Sequence, residues 1–382
     1  MEGLNMDFDS SKDIEQETLF DKKISIKNIL TEDIAQIHLK IAGNKISAAR
    51  IEGSFDNYLE YSKLLKSNSW DKGLNVSLDK VTLYPYHLQI AYVQTFEKLL
   101  GNALEVSNRA KYLRTIILEL ERISYHLSLI GVLGKGFSYP LLFSKAISLR
   151  KIILDSIVDL TNSSDRKSYI NFGGVSKDID VKLTNRLFST IEIIKKSSIK
   201  LRKKISKNFL LKGLLQDVGF LSRDSANKLS LVGPLARASG VTADVRRTDP
   251  YAAYETVQFN VPVYDSCDLY GEVMVRLDEI IESTDIIKQL LSSLPEGSLN
   301  QEFTHNQIPA NNSIIRIETP AGELFSFAIS KKGSPADKPV NYSIVSPIKL
   351  NIQGVLSRLS GEPYDNVLAI LQLIGEGWSS FM

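Results

Sequence analysis

The stretch ARASGVTADVRRTDPYAAYE, Ala236 to Glu255, carries an acid, Asp244, two arginines, Arg246 and Arg247, and two phenols, Tyr251 and Tyr254. Gly233-Pro234 and Gly240 break helix, so Leu235 to Tyr254 reads as loop with short helical pieces. A charged loop can turn inward only if its charges are paired, because an unpaired buried charge is severely destabilising. Asp244 with Arg246 or Arg247 makes such a pair, and burial is expected to depress the aspartate's pKa. Arginine's planar fork suits bidentate bonding of carboxylates and ligands. Tyr251 and Tyr254 could donate to a ligand oxygen. The same set serves equally as a structural network tying a helical bundle to a loop. A second set lies on RTIILELERISYHL, residues 114–127. There Glu119, Arg122 and His126 share one side of a helix and could stack as an acid–base column. Two surface ion pairs and a satisfied histidine is the competing reading.

Composition bounds what surrounds these residues. With 43% hydrophobic and 24% charged residues, the 382-residue chain can bury a sizeable core. A net charge of +2 argues against a dedicated nucleic-acid binder. The single cysteine, Cys267, excludes a disulfide framework and any Cys-rich zinc or iron–sulfur site carried by this chain alone. His38, His87, His126 and His305 form no i, i+4 pair, so no metal site is expected. The acidic N-terminus lacks the apolar segment of a signal peptide, and no apolar run approaches the roughly 18–20 residues of a membrane span. A peripheral place on the cytoplasmic face of the cell membrane, held by partners, is the expectation.

The elements that must position the charged residues follow from periodicity. Residues 1–22 are acidic and expected to be loose, and 23–80 form a small β-rich cap with a hairpin at Gly43-Asn44 and a short helix over 55–72 ending near Gly73. Residues 81–300 form a helical core: LQIAYVQTFEKLLG with a C-cap at Gly101, the helix of Glu119, LLFSKAISLRKIILDSIVDLT, and a helix running through Lys212. The loop YINFGGVSKD hinges on its glycines, and GEVMVRLDEIIESTDIIKQLLSSL is a further helix. Residues 301–382 hold a hairpin turning at Ala321-Gly322 and a final apolar helix, NVLAILQLI. The fold class is α+β, mainly α: a long-helix bundle with β-hairpin elements near both ends. The basic run KKSSIKLRKKISK, residues 195–207, reads as one apolar face and one solvated cationic face, or as a docking face for an acidic subunit or an anionic membrane surface.

GPLARASGVTADVRRTDPYAAYE resembles the signature of the large, quinone-site subunit of respiratory complex I and of the related large subunits of energy-converting [NiFe]-hydrogenases. RAKYLRTIILELERISYHLSLIG, YINFGGV, CDLYGEVMVRLDEIIESTDIIKQLL and IETPAGELFSFAISKKG are similar to the family's other segments, in the family's order, over nearly the whole chain. The resemblance implies a peripheral-arm subunit that binds no cofactor itself. It implies a quinone acceptor, an iron–sulfur cluster in a small partner subunit, other peripheral-arm subunits and membrane-embedded proton-channel subunits. It places Glu119, Arg122, His126, Asp244, Arg246 and Arg247 in charge coupling, and His87, Tyr84, Tyr86, Tyr251 and Tyr254 as candidates for the quinone pocket. His87, with Tyr84 or Tyr86, could then donate a proton to reduced quinone, or simply face solvent or a partner at a helix start.

Departures from the pattern limit the chemistry. The cysteine pairs that hold nickel and iron in the hydrogenases have no counterpart in KVTLYPYHLQIAY or QLIGEGWSSFM, so no nickel–iron centre is expected. The family's His-rich loop corresponds to Asn28–Asp33, its quinone-contacting tyrosine to Thr82, its acid after the core helix to the vicinity of Gly134, and a histidine near the cluster to Lys167. Cys267 stands where the family typically has glycine. A scaffold or coupling subunit that has lost its redox site is therefore the alternative.

Overall fold

The computed structural model describes residues 22–27, 34–52, 57–74, 82–101, 104–162, 169–301, 308–331 and 338–373. The N-terminal antiparallel sheet contains β1 (Lys22–Lys27), β2 (Ile34–Ala42) and β3 (Lys45–Glu52). Gly43, at φ +66°, turns the expected hairpin and sets Ile37 opposite Ile51. The single helix expected over 55–72 is two, α1 (Asn57–Ser67) and α2 (Trp70–Leu74). Side chains fix the break: Asn68 donates to the Leu64 carbonyl, and the Ser69 hydroxyl accepts from the Lys72 N–H. Gly73 lies within α2 rather than after it, where an added Cβ would sit 2.2 Å from the Tyr92 hydroxyl.

The core helices begin with α3 (Pro85–Leu100), which has proline in its first turn and ends at Gly101 in a positive-φ conformation. In α4 (Asn108–Gly136), Ser107 caps the first turn, and every residue from Leu113 to Gly134 is buried. A helix buried on all sides is a core helix, so its charged residues must find partners within the protein. Its neighbours are α5 (Pro140–Thr161) and α11 (Leu269–Ser292), and α6 (Val181–Lys207) completes the bundle against α5 and α11. The basic run lies on α6, whose apolar stripe is buried while Lys195 and Arg202 reach Asp285 and Asp278 of α11. Between α5 and α6 are the short strands β4 (Ile170–Asn171) and β5 (Gly174–Val175). The helix expected through Lys212 stops at Asn208, whose side chain accepts from the Leu211 N–H and starts α7 (Phe209–Gly213). Short helices α8 (Arg223–Lys228), α9 (Gly233–Arg237) and α10 (Val245–Thr248) follow, so the Leu235–Tyr254 segment has the expected form.

The C-terminal hairpin is β6 (Asn311–Thr319) and β7 (Gly322–Ser330). Two elements join it that periodicity did not reveal: β8 (Asn341–Val345), paired with β7, and α12 (Pro347–Leu359), capped by Ser346. The final apolar helix is α13 (Val367–Gln372). β6 and β7 pack on α3, and α12 packs on β3. Backbone bonds between Ile46 and the Gly361-Glu362 turn tie the N-terminal sheet to the C-terminal region. The hairpin tip then presses on the start of α9, where an added Cβ on Gly233 would lie 2.3 Å from the Ala321 carbonyl. That contact holds the charged loop between the hairpin and the bundle. Among the described residues, no helix is long and apolar enough to cross a membrane.

Candidate functional site: a buried charge network

Asp244 caps α10 by accepting from the Arg246 N–H at 3.0 Å. The tight turn brings the Arg246 guanidinium back onto its own cap, with Nε 3.0 Å from Asp244 Oδ1 and Nη2 2.7 Å from Oδ2. Arg246 Nη1 reaches Oε1 of Glu119 on α4 at 3.2 Å. Glu119 also accepts from Arg122 Nε at 3.2 Å, Tyr254 OH at 2.5 Å and Ser283 Oγ at 2.5 Å. Arg237, at the end of α9, links Glu279 of α11 to Glu318 of β6, each contact 2.9 Å long. The other Glu318 oxygen accepts from the Val245 N–H at 3.1 Å. Arg122 donates to the carbonyls of Glu318 and Thr319. Five elements thus meet in one network whose ionisable side chains are all buried.

Three arginines face four carboxyls here, so the protonation of the last acid sets the balance. Burial pushes Glu119 and Asp244 upward, but Arg122 and Arg246 outweigh it at Glu119, and Arg246 and Arg237 at Asp244; both carboxyls are held below their ordinary values. Burial also acts on Glu279, where Arg237, His126 and Arg122 hold it well below the ordinary range. Glu318 differs: burial and the neighbouring Asp244 raise it to about 7 against the pull of three arginines. Burial lowers His126 to about 4, so its imidazole is neutral at pH 7. Its Nε2–H donates to Glu279 at 2.8 Å, leaving Nδ1 to accept from Arg276 at 3.4 Å.

The structure unites Asp244, Arg246, Glu119, Arg122, His126 and Tyr254. It corrects two expectations about their setting. Glu119, Arg122 and His126 are fully buried, so surface ion pairs are not what this helix carries. The aspartate is lowered by its arginines, while burial alone acts in the opposite direction. Arg247 is exposed with its guanidinium 5.2 Å from the Phe259 ring, so Arg246 alone of the pair serves Asp244. Tyr251 is half-buried, donates to the Glu318 carbonyl at 3.3 Å and lines a groove of about 300 Å³ with Glu97, Asp249 and Arg316.

His87 faces neither solvent nor an exposed partner surface; it is fully buried, with Nδ1 2.7 Å from Glu121 Oε2. Burial, then Arg122, Arg246 and His126, holds its pKa well below 6.5. Tyr84 and Tyr86 are buried beside it. Tyr84 packs edge-on to both His87 and Tyr125, whose ring in turn lies 5.7 Å from His126. An aromatic bridge therefore spans the two histidines. Thr82 accepts from the Tyr84 N–H, and at Gly134 an added Cβ would approach the Phe143 nitrogen to 2.8 Å. Asn28–Asp33 and Lys167 lie outside the described residues. Cys267 sits at φ +60°, a conformation that favours glycine. The described residues contain no cluster of metal-ligating side chains.

Sequence reasoning passed over Arg237, Glu279, Ser283 and Glu318. Arg237 lay within the quoted loop, and Glu279 and Ser283 share one face of α11 at i, i+4. Glu318 lies in a strand whose sequence alternates apolar and polar residues, yet with Ile317 and Thr319 it is buried, and nothing in the local pattern pointed to a polar partner.

Comparison with known proteins places this geometry among relatives. Residues 141–309 match the family of the respiratory-chain NADH dehydrogenase 49 kDa subunit. The D subunit of the NADH-quinone oxidoreductase of Desulfotalea psychrophila is 35% identical over 64% of this chain and 62% of that protein. The NADH-quinone oxidoreductase D subunit 1 of Streptomyces avermitilis is 26% identical over 90% of this chain and 86% of its own length. The D subunit of the F(420)H(2) dehydrogenase of Methanosarcina mazei is 28% identical over 88% of this chain and 90% of that protein. A chain of the membrane-bound sulfane sulfur reductase, an archaeal respiratory membrane complex, shares the fold with a TM-score of 0.84, at 24% identity over 93% of this chain and 96% of that one.

Proposed function

The chain belongs to the D-subunit type of complex-I-like respiratory oxidoreductases, and from that premise we propose that it forms one wall of a quinone-reducing pocket and relays electron transfer there to charge movement. The observation that carries the reading is the buried network, in which Arg122, Arg237 and Arg246 face four carboxyls and burial with Asp244 raises Glu318 to about 7. Reducing a quinone to a quinol takes up two electrons and two protons. The electrons would come from an iron–sulfur cluster in a partner subunit, since this chain offers no thiolate set to hold one. Negative charge gained at the pocket would raise the proton affinity of Glu318 and shift the sharing of Asp244 and Glu119 among Arg122, Arg237 and Arg246. Partners would pass that change toward the membrane-embedded proton-channel subunits, with this chain peripheral on the cytoplasmic face.

A scaffold reading has its own support: Tyr84, Tyr86 and His87 are sealed in the core, and Gly134, in whose vicinity the resemblance puts an acid, leaves no space for a side chain. The test is Asp244→Asn and Arg246→Met in the assembled complex, assayed in membranes for quinone reduction driven by NADH or reduced ferredoxin. Coupling through the network predicts a fall of about tenfold or more in turnover for both variants. Unchanged turnover with the complex intact would leave the scaffold reading in place.

A further inference from the structure

One end of the network leads away from the loop and into a cavity. Arg276 of α11 approaches His126 on one side and donates through Nη2 to Glu272 and to the Leu373 carbonyl. Arg358, near the end of α12, donates through Nη1 to the other Glu272 oxygen. The two arginines line a cavity of about 30 Å³ whose remaining wall includes Leu235, Ala321, Ile348 and Leu373. Burial pushes Glu272 upward, but Arg358 and Arg276 hold it below its ordinary value, so it is ionised. Among the described residues, the polar wall therefore carries two positive charges and one negative.

The donor inventory is equally unbalanced. Arg276 and Arg358 are only 3% and 2% exposed. Arg276 Nε, Arg358 Nε and Arg358 Nη2 have no acceptor among the described residues. Buried guanidinium N–H groups without acceptors are strongly destabilising, and the apolar part of the wall offers none. Water can accept these N–H groups but cannot neutralise the surplus charge.

We propose that this cavity binds one small monovalent anion, of halide or formate size, between Arg276 and Arg358. The volume takes an anion of one to three heavy atoms and excludes a quinone ring. The Arg276–His126 contact would couple its occupancy to Glu279 and hence to the network, independently of whether quinone is the acceptor.

The experiment uses the purified intact complex at constant ionic strength, with gluconate as the bulky reference anion. Chloride, bromide or formate should raise its Tm saturably by about a few degrees, and Arg358→Met should abolish the response. Crystals of the wild-type complex grown with bromide should show an anomalous peak between the two guanidinium groups, and this arm does not depend on the variant folding. A response to formate with no bromide peak would assign the site to a carboxylate. No saturable shift from any of the three anions, water alone in the cavity, or a bromide peak without stabilisation, an adventitious ion only, would each overturn the proposal.

Discussion

Glu318 and His126 share a network and titrate in opposite senses, which makes their effects separable by pH. The folded-state pKa of Glu318 is raised from 4.5 to about 7, so its stabilisation is full below 4.5 and is lost as pH rises through about 7. His126 is lowered from 6.5 to about 4, so its contribution is present above 6.5 and is lost as pH falls through about 4. Between pH 4.5 and 6.5 the two slopes oppose each other, each about 1.4 kcal/mol per pH unit. Glu318→Gln should unmask the histidine, making stability rise with pH across that window by about 1.4 kcal/mol per unit more than in the wild type. Urea unfolding at several pH values reads this directly, and an unaltered slope would mean that Glu318 does not titrate there. At this scale the sequence was half legible. Glu119 and Arg122 announce themselves by helical spacing, whereas Glu279 meets His126 across 153 residues, a pairing no local pattern encodes.

Packing of whole elements explains why some sequence signals held and others did not. Local chemistry sufficed for the Gly43 hairpin, the Gly101 cap and the loop of Gly173 and Gly174, where an added Cβ on Gly174 would lie 1.8 Å from the Leu299 carbonyl. β8 and α12 were missed because their form depends on partners: β8 needs the edge of β7, and α12 buries one face against β3 and α13. Gly134 is the sharpest case. It lies in the vicinity where the resemblance puts an acid, and it is the point at which α4 meets the first turn of α5, against Leu142 and the Phe143 backbone. Gly134→Ala should therefore destabilise the chain by about 1–3 kcal/mol through overpacking, and Gly134→Asp by more. Gly213, at the end of α7, has no atom within 4 Å of an added Cβ. Gly213→Ala should be neutral or stabilising by up to about 1 kcal/mol. Chemical denaturation of the pair checks the contrast, and equal effects would show that the α4–α5 contact yields readily.

Among the described residues, apolar side chains stand exposed together at one end of the molecule. Phe209 and Leu210 of α7 are 88% and 73% exposed, and Leu214 and Phe220 are exposed just beyond them. Beside them a groove of about 580 Å³ runs between α5 and α6, lined by Leu141, Lys145, Lys200 and Lys204. Neighbouring Lys212 lies over the Tyr270 ring, so cations frame the apolar surface. Exposed apolar side chains grouped in this way mark surfaces that associate. The isolated chain should self-associate at micromolar concentration, and Phe209→Ser with Leu210→Ser should raise its monomer fraction in sedimentation velocity. In membranes the same double variant should be washed from the complex more readily, with affinity about ten- to a hundredfold weaker, as for truncated interface anchors. Raising the salt should not reproduce the loss, because the apolar contribution is not screened. Retention and monomer fraction both matching the wild type would show that the lysine frame, rather than the apolar tip, governs how this end meets its surroundings.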